Sequence, residues 1–126
     1  MAASLFKMLM LMVVLAYMSF DSSLGIVHHV GDDDFGWKIQ ENPNFYDNWQ
    51  SQRTFNVGDI LFFGFVTGYH DVSKVNKQQF DNCETPDLRS IIAEGPALIN
   101  LTERGDHYYF CSYHCNHHQK LAIHVL

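Results

Sequence analysis

Across residues 26–126, apolar positions cluster in short runs separated by turn residues. The runs are Ile26–Val30, Thr54–Val57, Ile60–Val66, Val72–Val75, Leu98–Leu101, His107–Cys111 and Lys120–Val125. Gly58-Asp59, Gly68, Gly95-Pro96 and Arg104-Gly105-Asp106 punctuate them. Closely spaced strands of this kind predict an antiparallel β-sandwich or small barrel. Ile60–Val66 is apolar on both faces, as a central strand between packed layers should be. Leu121, Ile123 and Val125 alternate with Ala122 and His124, which predicts a strand with one buried face. Only Asn44–Gln52 places aromatic residues, Phe45 and Trp49, on a helical spacing, so one short helix is expected there. Trp37, Phe55, Phe62, Phe63 and Phe65 are assigned to the core. His107, His118 and His124 are read as exposed polar positions, and Asp32-Asp33-Asp34 as a solvated loop.

The first 25 residues follow a different pattern. Lys7 precedes an unbroken apolar segment, Met8–Met18, and Ser23 and Gly25 are small residues suited to a cleavage site. Eleven residues rising about 1.5 Å each fall well short of a hydrocarbon layer of about 30 Å. A secretory signal over residues 1–25 and a single domain over residues 26–126 are therefore expected. That domain should be extracellular, at the cell surface or wall, and monomeric. Asn100-Leu101-Thr102 is a glycosylation sequon, and the alternation of Ile99 and Leu101 turns Asn100 toward solvent.

The chain has a net charge of −6, which disfavours a nucleic-acid partner, since phosphate binding needs a basic face. All five methionines, Met1, Met8, Met10, Met12 and Met18, lie in the leader. Without the leader, no thioether is available to a metal.

Cys83, Cys111 and Cys115 make an odd number, so a secreted domain should hold one disulfide and one remaining thiol. Cys83 paired with either of the others closes the longer loop. The segment Cys111-Ser-Tyr-His114-Cys115-Asn-His117-His118-Gln119 concentrates a thiol and several imidazoles. A thiolate, two imidazoles and a weak axial donor are the ligand set of a blue electron-transfer copper centre. Cys111 ends a strand, His114 follows in the same loop, and His70 lies just past the central apolar strand. Cleavage after Gly25 would also put His28 third from a new amino terminus, a pattern able to wrap copper(II). Pairing of a first strand would use those amides instead.

Gly36-Trp37, Phe55-Asn56-Val57-Gly58-Asp59, His70-Asp71-Val72, Asp81-x-Cys83, Gly95-Pro96, Tyr109-Phe110-Cys111, His114-Cys115 and Gln119-Lys120 occur in an order that resembles the plant phytocyanins. The resemblance runs from about Val27 to Val125. It implies a cupredoxin-like Greek-key β-sandwich or barrel, a secreted protein, one copper ion and one-electron transfer. It further implies a Cys83–Cys115 disulfide, with His70, Cys111 and His114 as equatorial ligands. Gln119 falls at the axial position, as in the stellacyanin-like branch. Two residues separate Cys111 from His114, where the family usually has four, so His117 stands as an alternative to His114. The preference is for His114, which keeps the His-Cys pair beside the disulfide. No turnover site is read, so a carrier with a small-molecule or protein redox partner is expected rather than an enzyme. A copper-free structural or signalling module and a metal-sequestering loop are the other readings.

Overall fold

A computed structural model describes residues 2–18 and 25–126. Helix α1 (Ala2–Met18) carries the apolar segment Met8–Met18. No helix among the described residues is long and apolar enough to cross a membrane. Ser23 of the expected cleavage site lies outside the described residues.

Two sheets form the domain. Strands β1 (Val27–His29), β2 (Ile60–Phe63) and β5 (Ala97–Asn100) make the first, in the order β1-β2-β5. Strands β4 (Ile91–Ile92), β3 (Val72–Val75), β6 (Gly105–Phe110) and β7 (Lys120–Val125) make the second, in the order β4-β3-β6-β7. The arrangement is a cupredoxin-like sandwich whose sheets do not close into a barrel. One pairing departs from the all-antiparallel expectation: β1 runs parallel to β2, with Val27 opposite Ile60 and His29 opposite Phe62. Each remaining ladder is antiparallel.

β2 is the middle strand of its sheet and turns Leu61 and Phe63 fully into the core. Its other face, with Ile60 and Phe62, is half-buried, so Phe62 borders the core rather than belonging to it. In β7, Leu121, Ile123 and Val125 are buried and His124 is exposed, as its alternation requires. The centre of the sandwich is aromatic. Trp37 meets Phe63 edge-on at 4.8 Å and Tyr46 at 5.1 Å, and Phe63 packs on Tyr109. Each such side chain withdrawn from water contributes about 1.5–3 kcal/mol.

The helix expected near residue 45 is α2 (Phe45–Ser51), which buries Tyr46 and Trp49 on one face. A second short helix, α3 (Lys77–Asn82), was not expected from periodicity, because Phe80 is its only apolar side chain. It is started by a capping box. Asn76 accepts from the Gln79 N–H, and the Gln79 side chain accepts from the Asn76 N–H. Residues 54–57 form no strand; Phe55 alone bridges to Val125.

His107 is buried rather than exposed, with its Nε2 beside the Glu103 carbonyl at 2.8 Å. It shares the inward face of β6 with Tyr109, where the period of two puts it. His118 and His124 are exposed, and so are Asn100 and Thr102. Asp32 is more than loop: its carboxylate accepts from Trp49 Nε1 at 2.9 Å and pairs with Arg53.

Candidate metal centre

Three strand ends carry the site. His70 follows β2 and immediately precedes Asp71 and β3, Cys111 follows β6, and Gln119 precedes β7. Between Cys111 and Gln119 the chain makes a tight excursion held by main-chain bonds. Cys111 N–H donates to the Gln119 carbonyl at 3.0 Å, and His114 N–H donates to the Cys111 carbonyl at 3.2 Å. His117 N–H donates to the His114 carbonyl at 2.9 Å. The two-residue spacing between Cys111 and His114 is thus one closed turn rather than a stretched link.

The turn brings His114 to Cys111 and His70. His70 Nδ1 and His114 Nδ1 lie 3.3 Å apart, and Cys111 Sγ lies 3.7 Å from His114 Nδ1. All three donor atoms fall within 4.8 Å of one another. Donors around one metal at about 2.0–2.1 Å for nitrogen and about 2.3 Å for sulfur are separated by such distances in tetrahedral-like geometry. His117 is exposed, outside this convergent group.

Gln119 completes the enclosure. It is fully buried, and neither its amide nitrogen nor its amide oxygen meets a hydrogen-bond partner. Leaving a buried amide unsatisfied costs about 1–3 kcal/mol. An orphaned carbonyl donor beside two imidazoles and a thiol is what a weakly held axial ligand requires before the metal arrives. The residues present fit copper.

Burial sets the acid–base character of the donors. Burial, and then the neighbouring His114, hold His70 below its ordinary imidazole value, while Gln119 and Asp71 pull in the opposite direction. Gln119 acts there by proximity, without hydrogen-bond geometry. Burial pushes the Cys111 thiol up, against partial relief from main-chain groups of Asp71, Tyr113 and His114. A neutral imidazole is the metal-binding form, and a thiol in this setting is deprotonated by the metal it binds.

Cys83 and Cys115 are disulfide-bonded, and Cys111 is the free, buried cysteine. The bond ties the end of α3 to the turn that follows His114. Among the residues that sequence reasoning did not single out, Asp71 is the most consequential. Its carboxylate accepts from the Ser112 N–H at 2.6 Å and from the Ser112 hydroxyl, and its carbonyl accepts from Trp37 Nε1 at 2.7 Å. Asp71 therefore straps the His70 segment to the Cys111 loop and to the core. Its place directly after a candidate ligand was the available signal.

The candidate amino-terminal copper pattern is not formed. His28 is buried with Nε2 2.8 Å from Asp59, and Ile26 N–H donates to the same carboxylate at 3.0 Å.

Comparison with known proteins is consistent with this geometry. A family model described as a plastocyanin-like domain matches residues 37–120. Cucumber peeling cupredoxin from Cucumis sativus is 39% identical over 104 residues, covering 79% of this chain and 75% of that protein. Stellacyanin from Toxicodendron vernicifluum is 35% identical over 106 residues, covering 79% of this chain and 95% of that protein. A blue copper protein from Arabidopsis thaliana is 40% identical, and the match covers 51% of its length. The solved structure of cucumber stellacyanin with Cu2+ superposes with a TM-score of 0.76 at 38% identity, covering 82% of this chain and 96% of that one.

Proposed function

The chain belongs to the plastocyanin-like family, among the phytocyanins, with copper as its cofactor, and from that premise we propose that it is a secreted one-electron carrier. The observation that carries the proposal is the convergence of His70 Nδ1, His114 Nδ1 and Cys111 Sγ in a half-enclosed site. In this reading those three atoms would hold the copper, with the Gln119 amide oxygen as a fourth, weaker donor. Bound copper supplies the cycling between Cu(I) and Cu(II). Everything else is the work of the polypeptide.

Cys111, fully enclosed, provides a thiolate whose covalency carries the electron toward the protein. The two imidazoles hold their positions through the closed turn at residues 111–119 and the Asp71 strap, so the ligands need little rearrangement when an electron moves. Half-buried His114 is the exit toward solvent. Exposed Tyr113 stands beside it, its ring 6.2 Å away, and exposed Phe35, Val66 and Tyr69 border His70 around a hollow of about 260 Å³. An apolar rim of this kind suits brief docking of a redox partner.

Secretion and a mature domain over residues 26–126 are supported by the leader pattern and by the exposure of residues 3–12 of α1. Exposed Asn100 is the proposed glycan site. The reading is a carrier rather than an enzyme.

Copper(II) titration of the purified protein tests this. The expected result is the intense visible absorption of a copper–thiolate bond, lost in Cys111→Ser. A folded protein that stays colourless would favour a copper-free structural or signalling module, and colour surviving Cys111→Ser would remove the ligand assignment.

A further inference from the structure

The four proposed ligands differ in how a metal ion can reach them. Cys111 and Gln119 are fully enclosed, and His70 and His114 are half-buried. Copper arriving from solvent must therefore pass the histidine edge before it meets sulfur. One further imidazole stands on that approach. His117 is exposed and ends the 3-10 turn Cys115–His117, for which His114 is the capping residue. Side chains three residues apart on such a turn eclipse one another, which puts the His114 and His117 rings on one side. Their centres are 6.4 Å apart. Two imidazoles sharing one metal ion, each bound at about 2.0–2.1 Å, hold their ring centres about 5 Å apart at a tetrahedral angle and at most about 6.4 Å apart, so a rotamer change of exposed His117 brings the pair into chelating range. His118 does not join them. It takes a left-handed conformation, φ 65°, and lines a separate hollow with Pro43, Asp47 and Lys120.

We propose that His117 and His114 form a copper-capture pair at the surface, which receives the ion and passes it inward to Cys111 and His70. His117 then serves loading and is not a ligand of the finished centre. The proposal rests on the copper reading above. The transfer is a ligand exchange: the bonds to His117 and to a water molecule break, the bonds to the Cys111 sulfur and to His70 Nδ1 form, and the thiol proton leaves to solvent. No electron changes hands, so the ion keeps its oxidation state.

Two measurements test this. In the first, copper-free protein is mixed rapidly with aqueous copper(II), and growth of the thiolate absorption is followed in time. His117→Ala should slow the growth about tenfold, at the lower end of losses typical for groups supporting a metal site. Its final intensity and band position should match the parent protein. His124→Ala, which removes an exposed histidine paired to Asp106 elsewhere, should leave the rate unchanged. An unchanged rate in His117→Ala overturns the proposal, and so does an altered final spectrum, which would make His117 a resident ligand.

The second measurement does not depend on colour. In a Cys111→Ser, His70→Ala background, copper(II) binding is read by competition with a chromogenic chelator. The surface pair should still bind the ion, and adding His117→Ala should weaken that binding about tenfold. Equal binding with and without His117 overturns the proposal. A colourless parent protein would sink the electron-carrier reading, while this second measurement would still decide whether the pair captures copper.

Discussion

Gln119 faces inward with no partner for either amide atom, a conformation that stability alone does not favour. The oxygen is a harder donor than a thioether sulfur, and so should favour Cu(II) over Cu(I). Gln119→Met is therefore expected to raise the reduction potential of the copper protein, measured by voltammetry. The same change removes an unsatisfied amide from the interior and should stabilise the copper-free fold by about 1–3 kcal/mol in denaturant titration. A potential that stays level or falls would remove Gln119 from the axial role. The inward direction of Gln119 was readable. It keeps step with Leu121 and Ile123, whose alternation marks the buried face of β7. The same arithmetic applied to β6 puts His107 in register with Tyr109 and Cys111, against the exposure that histidine's polarity alone suggests. With residues 1–25 removed, the absence of methionine after residue 18 excludes a thioether ligand but does not choose its replacement.

Elements were legible where the hydrophobic signal was local. β2 lies in an unbroken apolar run, and β7 and α2 each carry their period within a few residues. α3 did not, because a helix with one apolar side chain has no stripe to detect, and its start lies in the Asn76–Gln79 capping box instead. Nor did the parallel β1–β2 pairing, since strand direction depends on where the intervening chain returns. The centre itself is assembled between elements: His70 and Cys111 are separated by 40 residues and meet because β3 pairs with β6. Asp71 locks that meeting by accepting two hydrogen bonds from Ser112. Asp71→Ala should lower the stability of the copper-free protein by about 2–4 kcal/mol, because the Ser112 N–H loses a charged acceptor. It should also broaden the copper site's electron paramagnetic resonance lines as the His70 and Cys111 segments separate. Ser112→Ala, which keeps the main-chain bond, should show the smaller loss. Equal losses in the two variants would mean that the main-chain bond is not what holds the loops together.

At the scale of the whole domain, Asp59 links three segments distant in sequence. Its buried carboxylate accepts from the Ile26 and Asn56 N–H groups, each at 3.0 Å, and lies 2.8 Å from His28 Nε2. Its main-chain oxygen accepts from Leu101 N–H at 2.8 Å, so β1, the turn before β2 and the end of β5 meet at one residue. Burial alone would raise the Asp59 pKa, but the hydrogen bonds from His28, Ile26 and Asn56 together bring it below its ordinary value of 3.8. A carboxyl with a depressed native pKa stabilises the fold above its unfolded pKa, and that contribution is lost as pH falls through the native value. His28 is the titratable side chain facing it. Asp59→Asn is expected to destabilise the protein by about 2–3 kcal/mol at neutral pH, a drop in Tm on the order of 10 °C for a domain of this size. Thermal unfolding of both proteins from neutral pH down to about pH 3 checks the sign. Their melting temperatures should be farthest apart near neutrality and converge as pH falls below about 4, where the unfolded carboxyl takes up its proton first and the native one follows at lower pH. Two parallel curves over that range would show that Asp59 contributes through packing rather than charge.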